Sequence, residues 1–126
     1  MNIEIKEKWI AALKSGEFEQ ATGKLRAEVG DRSWDQNQCE YVVRETGGYC
    51  CLGVLQDVYQ KETGNEAVHP WYSSFPGHDV LDWAGFEDDE REEDAEEGTN
   101  IGTLTELNDD AGYSFSEVAD FIEQNF

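Results

Sequence analysis

A chain that runs Gly47-Gly48-Tyr49-Cys50-Cys51-Leu52-Gly53-Val54-Leu55 and on to Tyr59 has few options for what it folds around. The glycine pair breaks whatever strand precedes it. Directly afterwards Cys51, Leu52, Leu55, Val58 and Tyr59 recur at helical spacing, so one side of a helix is apolar. Val54 widens that stripe, as expected of a helix buried on more than one side. Gly53 carries no side chain and would admit a neighbouring backbone, at a propensity cost of about 1 kcal/mol. The central core helix is therefore expected from about Tyr49 to Glu62, closed by Gly64, with the remaining chain packed around it.

The flanking segments are consistent with one domain spanning 1–126, since a chain of 126 residues usually folds around a single core. Asn2 is positioned to cap a first helix over Ile3 to Lys14, whose Ile5, Trp9, Ala12 and Leu13 share a face; Ser15-Gly16 ends it. Glu17 to Arg26 is a short mixed segment with Phe18 and Leu25 as its buried candidates. Gly30 to Gln38 is turn-rich around Trp34, and Cys39 to Glu45 reads as a strand centred on Val42 and Val43. Two strands alone are marginal, so this sheet is expected to lean on the helices. Asn65 to Gly77 holds both prolines and is expected to be a loop of fixed path. Asp79 is a candidate cap for Val80 to Ala84, which Gly85 ends.

The C-terminal third is the most regular. Thr99 or Asn100 starts a helix carrying Ile101, Leu104 and Leu107, and Asn108 to Gly112 turns it. Ser114-Phe115-Ser116-Glu117 is a capping box, after which Phe115, Val118, Ala119, Ile122 and Phe126 follow at amphipathic spacing. The expected fold is α+β: a mostly helical single domain of about three to five helices with a small antiparallel sheet of two or three strands.

Charge bounds the function. The chain has 29 acidic and nine basic residues, a formal net charge of −20. Glu87 to Glu97 holds nine acids and one arginine, so most of the excess lies elsewhere on the surface. Such a field repels nucleic acid and anionic membranes and attracts basic partners. Residues 87–98 are expected to form a mobile acidic loop, because like charges this dense repel one another. No apolar run approaches the ~20 residues that cross a bilayer, and the N-terminal residues show no signal-peptide pattern, so a cytoplasmic location is expected. Three cysteines, two of them vicinal, make a poor disulfide framework and fit the same compartment.

Several pieces together resemble a known family. Lys8-Trp9-Ile10-Ala11-Ala12-Leu13-Lys14, then Tyr49-Cys50-Cys51-Leu52-Gly53-Val54-Leu55, then Leu107-Asn108-Asp109 with Gly112 and Ser114 to Glu123 are similar to a family of small tailed-bacteriophage proteins, most without an assigned activity. The resemblance implies a phage accessory protein made in the cytoplasm of the infected host cell. It supplies no catalytic residue.

Three functions are weighed. The leading expectation is stoichiometric binding to a host protein, basic or nucleic-acid-binding, as a host-takeover or anti-defence inhibitor acting in part by mimicry of nucleic-acid charge. Its binding candidates are the aromatics Trp34, Trp71, Tyr72 and Phe75 and the acids Asp88, Asp89, Glu90, Glu92 and Glu93. The second is a small-molecule receptor for a signalling nucleotide, stacking on Trp71, Tyr72 and Phe75. Net charge disfavours an anionic ligand unless Lys24, Arg26, Arg32 or Arg44 line a local pocket. The third is a cysteine-dependent hydrolase or transferase with Cys50 as nucleophile, His69 or His78 as base and Asn108 or Asp109 as orienting group. A helix start favours the thiolate at Cys50, but a buried structural thiol is the better reading. Cys39, Cys50, Cys51, His69 and His78 lack the paired short spacing of a zinc site, so neither a metal nor a cofactor is expected.

Overall fold

The computed structural model describes residues 1–35 and 37–126, the side chains of 33–35 excepted. Among the described residues five α-helices and four short strands follow in the order α1 (Ile3–Lys14), β1 (Arg26–Ala27), β2 (Arg32–Asp35), β3 (Glu40–Val43), β4 (Gly48–Tyr49), α2 (Cys51–Thr63), α3 (His78–Ala84), α4 (Ile101–Asp109) and α5 (Phe115–Asn125). Two 3-10 turns, Asp89–Arg91 and Ala95–Glu97, lie between α3 and α4. This is the mostly helical α+β architecture the periodicities imply.

The apolar stripe of α2 makes it the centre. Its first six residues, Cys51 to Gln56, are all buried, and Val58 and Tyr59 continue the stripe. The helix starts with its apolar stripe at Cys51 and not at the expected Tyr49, because Tyr49 belongs to β4 and Cys50 is the cap, its Sγ accepting from Gly53 N at 3.3 Å. At Gly53 a Cβ would lie 1.7 Å from the carbonyl oxygen of Leu25, so only glycine lets that strand backbone rest on the helix. The same carbonyl accepts from Cys50 N at 3.2 Å. β1 and β4 pair antiparallel, Arg26 with Tyr49 and Ala27 with Gly48, and it is this pair that leans on α2.

Around that centre α1 crosses α2 and α5 packs against α1. Asn2 caps α1 by accepting from Ile5 N at 3.2 Å, and buried Trp9 donates its indole N–H to Cys51 O at 2.9 Å. Ser114 and Glu117 form the reciprocal capping box of α5, whose buried Phe115, Val118, Ala119 and Ile122 meet the core. A second box starts α4: Asn100 accepts from Thr103 N at 2.9 Å while the Thr103 hydroxyl accepts from Asn100 N at 3.3 Å. One apolar cluster draws buried residues from all five helices, with Phe86 closing it edge-on against Trp9 and Phe126.

Three expectations need correction. The turn-rich stretch after Gly30 contains β2, which pairs antiparallel with β3 from Arg32 opposite Val43 to Asp35 opposite Glu40. That hairpin is not the sheet that leans on the helices, since every residue of β3 is exposed. Asp79 caps nothing. Gly77 precedes α3, and the Asp79 carboxylate instead accepts from Val68 N at 2.8 Å, bracing the proline loop.

The acidic segment has a defined path. Glu90 accepts from Glu87 N at 2.8 Å, and the Arg91 guanidinium donates to Phe86 O and pairs with Asp82. Asn100 donates to Asp94 O at 2.7 Å. Against α4 the Glu93 carbonyl comes so close that a Cβ on Gly102 would sit 2.3 Å from it.

Candidate functional site

The aromatic candidates are split by packing. Trp71 is half-buried, stacked edge-on by Tyr49 at 5.7 Å between centroids and covered by the Arg26 guanidinium at 4.5 Å. Its carbonyl accepts from Arg26 N at 3.0 Å, and Ser73 O accepts from Leu25 N at 2.8 Å, so this stretch extends the backbone bonding of β1. Phe75 also packs against the core, and its carbonyl binds His69 Nδ1 at 2.9 Å. Tyr72 alone projects, 75% exposed. The three therefore do not share one stacking face. Trp34 lies outside the described side chains.

The acidic candidates divide similarly. Asp88, Asp89, Glu92 and Glu93 are exposed. Glu90 is partly covered and already engaged, accepting from Glu87 N and facing the N-terminal amine at 3.9 Å.

The cysteine constellation does not assemble. Cys50 is 4% exposed, and burial pushes its thiol up to about 11, outweighing the backbone N–H groups of Gly53 and Leu52 that favour the thiolate. Desolvation wins over the helix start. Among the described residues no hydrogen bond joins Cys50 to His69 or His78. Asn108 is buried for a structural reason: its Oδ1 accepts from Cys51 N at 3.3 Å and Gln20 Nε2 at 2.9 Å, and its Nδ2 donates to Ala21 O at 2.8 Å. It ties α4 to the start of α2 and to the segment before β1. Among the described residues no group of three His, Cys, Asp or Glu is placed to hold a metal ion.

Two surface features belong to the hairpin, of which only the second was anticipated, conditionally, from the sequence. On β3, Val42 is 40% and Val43 52% exposed, beside exposed Tyr41, and among the described residues β3 pairs only with β2. An apolar strand is left facing solvent. At the base of the same hairpin a cavity of about 80 Å³ is lined by Thr22, Lys24, Ala27, Asp31, Arg32 and Arg44. Three of the four cations named as conditional anion ligands meet there. Arg26, turned onto Trp71, does not.

A family model described as a domain of unknown function, DUF8296, matches residues 1–34 and 30–126. The chain belongs to that family. The two matched stretches of this DUF8296 member meet at residues 30–34, where β2 begins. No match was found among the curated proteins or among the solved structures. No helix among the described residues is long and apolar enough to cross a membrane.

Proposed function

We propose that this DUF8296 chain is an acidic, phage-encoded accessory protein that acts by stoichiometric binding to a basic host protein, as a host-takeover or anti-defence inhibitor. The observation that carries the reading is β3, an exposed apolar strand that among the described residues pairs only with β2, on a body of net charge −20. The two features divide the work. Carboxylates spread over the surface steer a cationic partner in and repel competing anions, while Val42 and Val43 supply short-range contact by apolar burial. Tyr72 and the acids Asp88, Asp89, Glu92 and Glu93 are exposed and serve as further candidate contacts. Where the partner binds DNA or RNA, these carboxylates occupy positions otherwise filled by phosphates.

The test is capture from a lysate of the infected bacterium on the immobilised chain, at low and at high ionic strength. A basic protein retained in a fixed ratio at low salt and released at high salt is the expected result. Val43→Asp is expected to reduce capture without lowering the melting temperature. Retention of no basic protein at low salt overturns the proposal.

A further inference from the structure

The geometry points to a phosphate-binding pocket at the base of the hairpin, formed by Lys24, Arg32 and Arg44 with the Thr22 hydroxyl. It stands apart from the protein-partner reading, and its failure leaves that reading in place.

The first ground is charge pairing. In a chain so rich in acids, almost every cation has a carboxylate: Lys8, Lys14, Lys24, Arg26, Lys61 and Arg91 all form ion pairs. Lys6 donates to the Glu123 carbonyl. Arg32 and Arg44 form no ion pair among the described residues, and both line this one cavity. Bringing two guanidinium groups and an ammonium together costs repulsion that a single carboxylate offsets only in part.

The second ground is how the groups are held. Arg44 N donates to Asp31 O at 2.8 Å and Gly30 N to Arg44 O at 2.9 Å, which closes the base of the hairpin and sets Arg32 and Arg44 on the same cavity. The Arg44 Nε donates to Thr46 O at 2.9 Å and its Nη2 lies so close to Gly48 that a Cβ there would sit 2.7 Å away, so the guanidinium is held in place beside the cavity. Asp31 is a brace rather than a competitor. Its Oδ2 accepts from both Glu28 N at 2.8 Å and Lys24 Nζ at 3.0 Å, and these bonds together with the Arg44 charge hold its carboxyl below the usual range. With Asp31 ionised and the three cations charged, the pocket keeps an excess of positive charge.

The third ground is size and chemistry. The cavity, about 80 Å³, admits several water-sized groups and is partly open to solvent, so it accommodates a phosphate whose ester remainder extends outside. Forked guanidinium donors match phosphate oxygens bidentately, and lysine adds a point charge. The ligand is therefore a phosphate dianion, either free or as a monoester whose remainder lies outside the cavity.

Titration of the full chain with inorganic phosphate, and separately with adenosine 5′-monophosphate, distinguishes the two sources by calorimetry and phosphorus NMR. One saturable site is expected, weakened at least tenfold by Arg32→Gln and by Arg44→Gln and unchanged by Lys14→Gln. Tighter binding of the nucleotide assigns the pocket to a phosphate ester; equal or tighter binding of inorganic phosphate assigns it to the free ion. Thermal melts of the variants separate lost binding from lost fold, and exposed Arg32 serves as the variant least coupled to folding. Absence of saturable binding by either probe, or undiminished binding in a folded Arg32→Gln variant, overturns the assignment.

Discussion

At Gly53 a single missing methyl decides whether β1 can lie on α2. Alanine is the better helix former by about 1 kcal/mol, yet Gly53→Ala would press its Cβ into the Leu25 carbonyl, where backbone rather than a flexible side chain must yield. A net loss of about 1–3 kcal/mol or more is expected, read as a lower urea midpoint. Asn108→Ala orphans Ala21 O and Cys51 N inside the protein, so a loss on the order of 3 kcal/mol is expected from the same measurement. Cys50 behaves differently. Serine is a natural cap and accepts from the same Gly53 N, so Cys50→Ser is expected to fold with stability changed by less than about 1 kcal/mol. The pH dependence has a definite sign. An unfolded Cys50 thiol titrates near 9.0 and the folded one near 11, so the stabilisation is complete below 9.0 and drains away as pH rises through the folded value. Cys51, also pushed up by burial, adds to the same alkaline limb. Denaturation followed from pH 8 to about 11 is expected to show falling stability, less steep in Cys50→Ser.

At the scale of elements, legibility followed the periodicity of burial. α1 and α5 bury one face each and the first half of α2 is buried all round, so their apolar spacing and caps marked them in the sequence, and Gly53 was recognisable as a close-approach glycine because it interrupts an otherwise apolar helix. The hairpin was only half legible. Val42 and Val43 marked a strand, but their apolar character implied burial, whereas β3 lies exposed on both faces and its partner β2 runs through turn-forming residues. The aromatic loop misled in the opposite direction. Trp71 and Phe75 look like a stacking surface along the chain, but long-range bonds from Leu25 and Arg26 fold them against the core, and spacing within the loop carries no trace of that. Asn108 was likewise visible as a polar turn residue and not as a buried tie, because its partners are Gln20, Ala21 and Cys51. Since β3 packs against so little, Val43→Asp is expected to shift stability by no more than about 0.5 kcal/mol, checked by thermal melting, while removing an apolar contact from the binding strand.

For the whole molecule, the −20 charge is a property of the surface and not of one tail, and the ion pairs along it neutralise only a minority of its carboxylates. Such a body is expected to associate with a cationic partner quickly at low salt and slowly at high salt, because screening shortens the reach of its field to about 8 Å at physiological ionic strength. The contact residues then govern how long the complex lasts. The association and dissociation rates of the captured partner, measured across ionic strength for the native chain and Val43→Asp, test this division directly. An association rate that falls at least tenfold with added salt in both, with faster dissociation in Val43→Asp, is the predicted result; an association rate indifferent to salt would contradict recognition by the acidic surface.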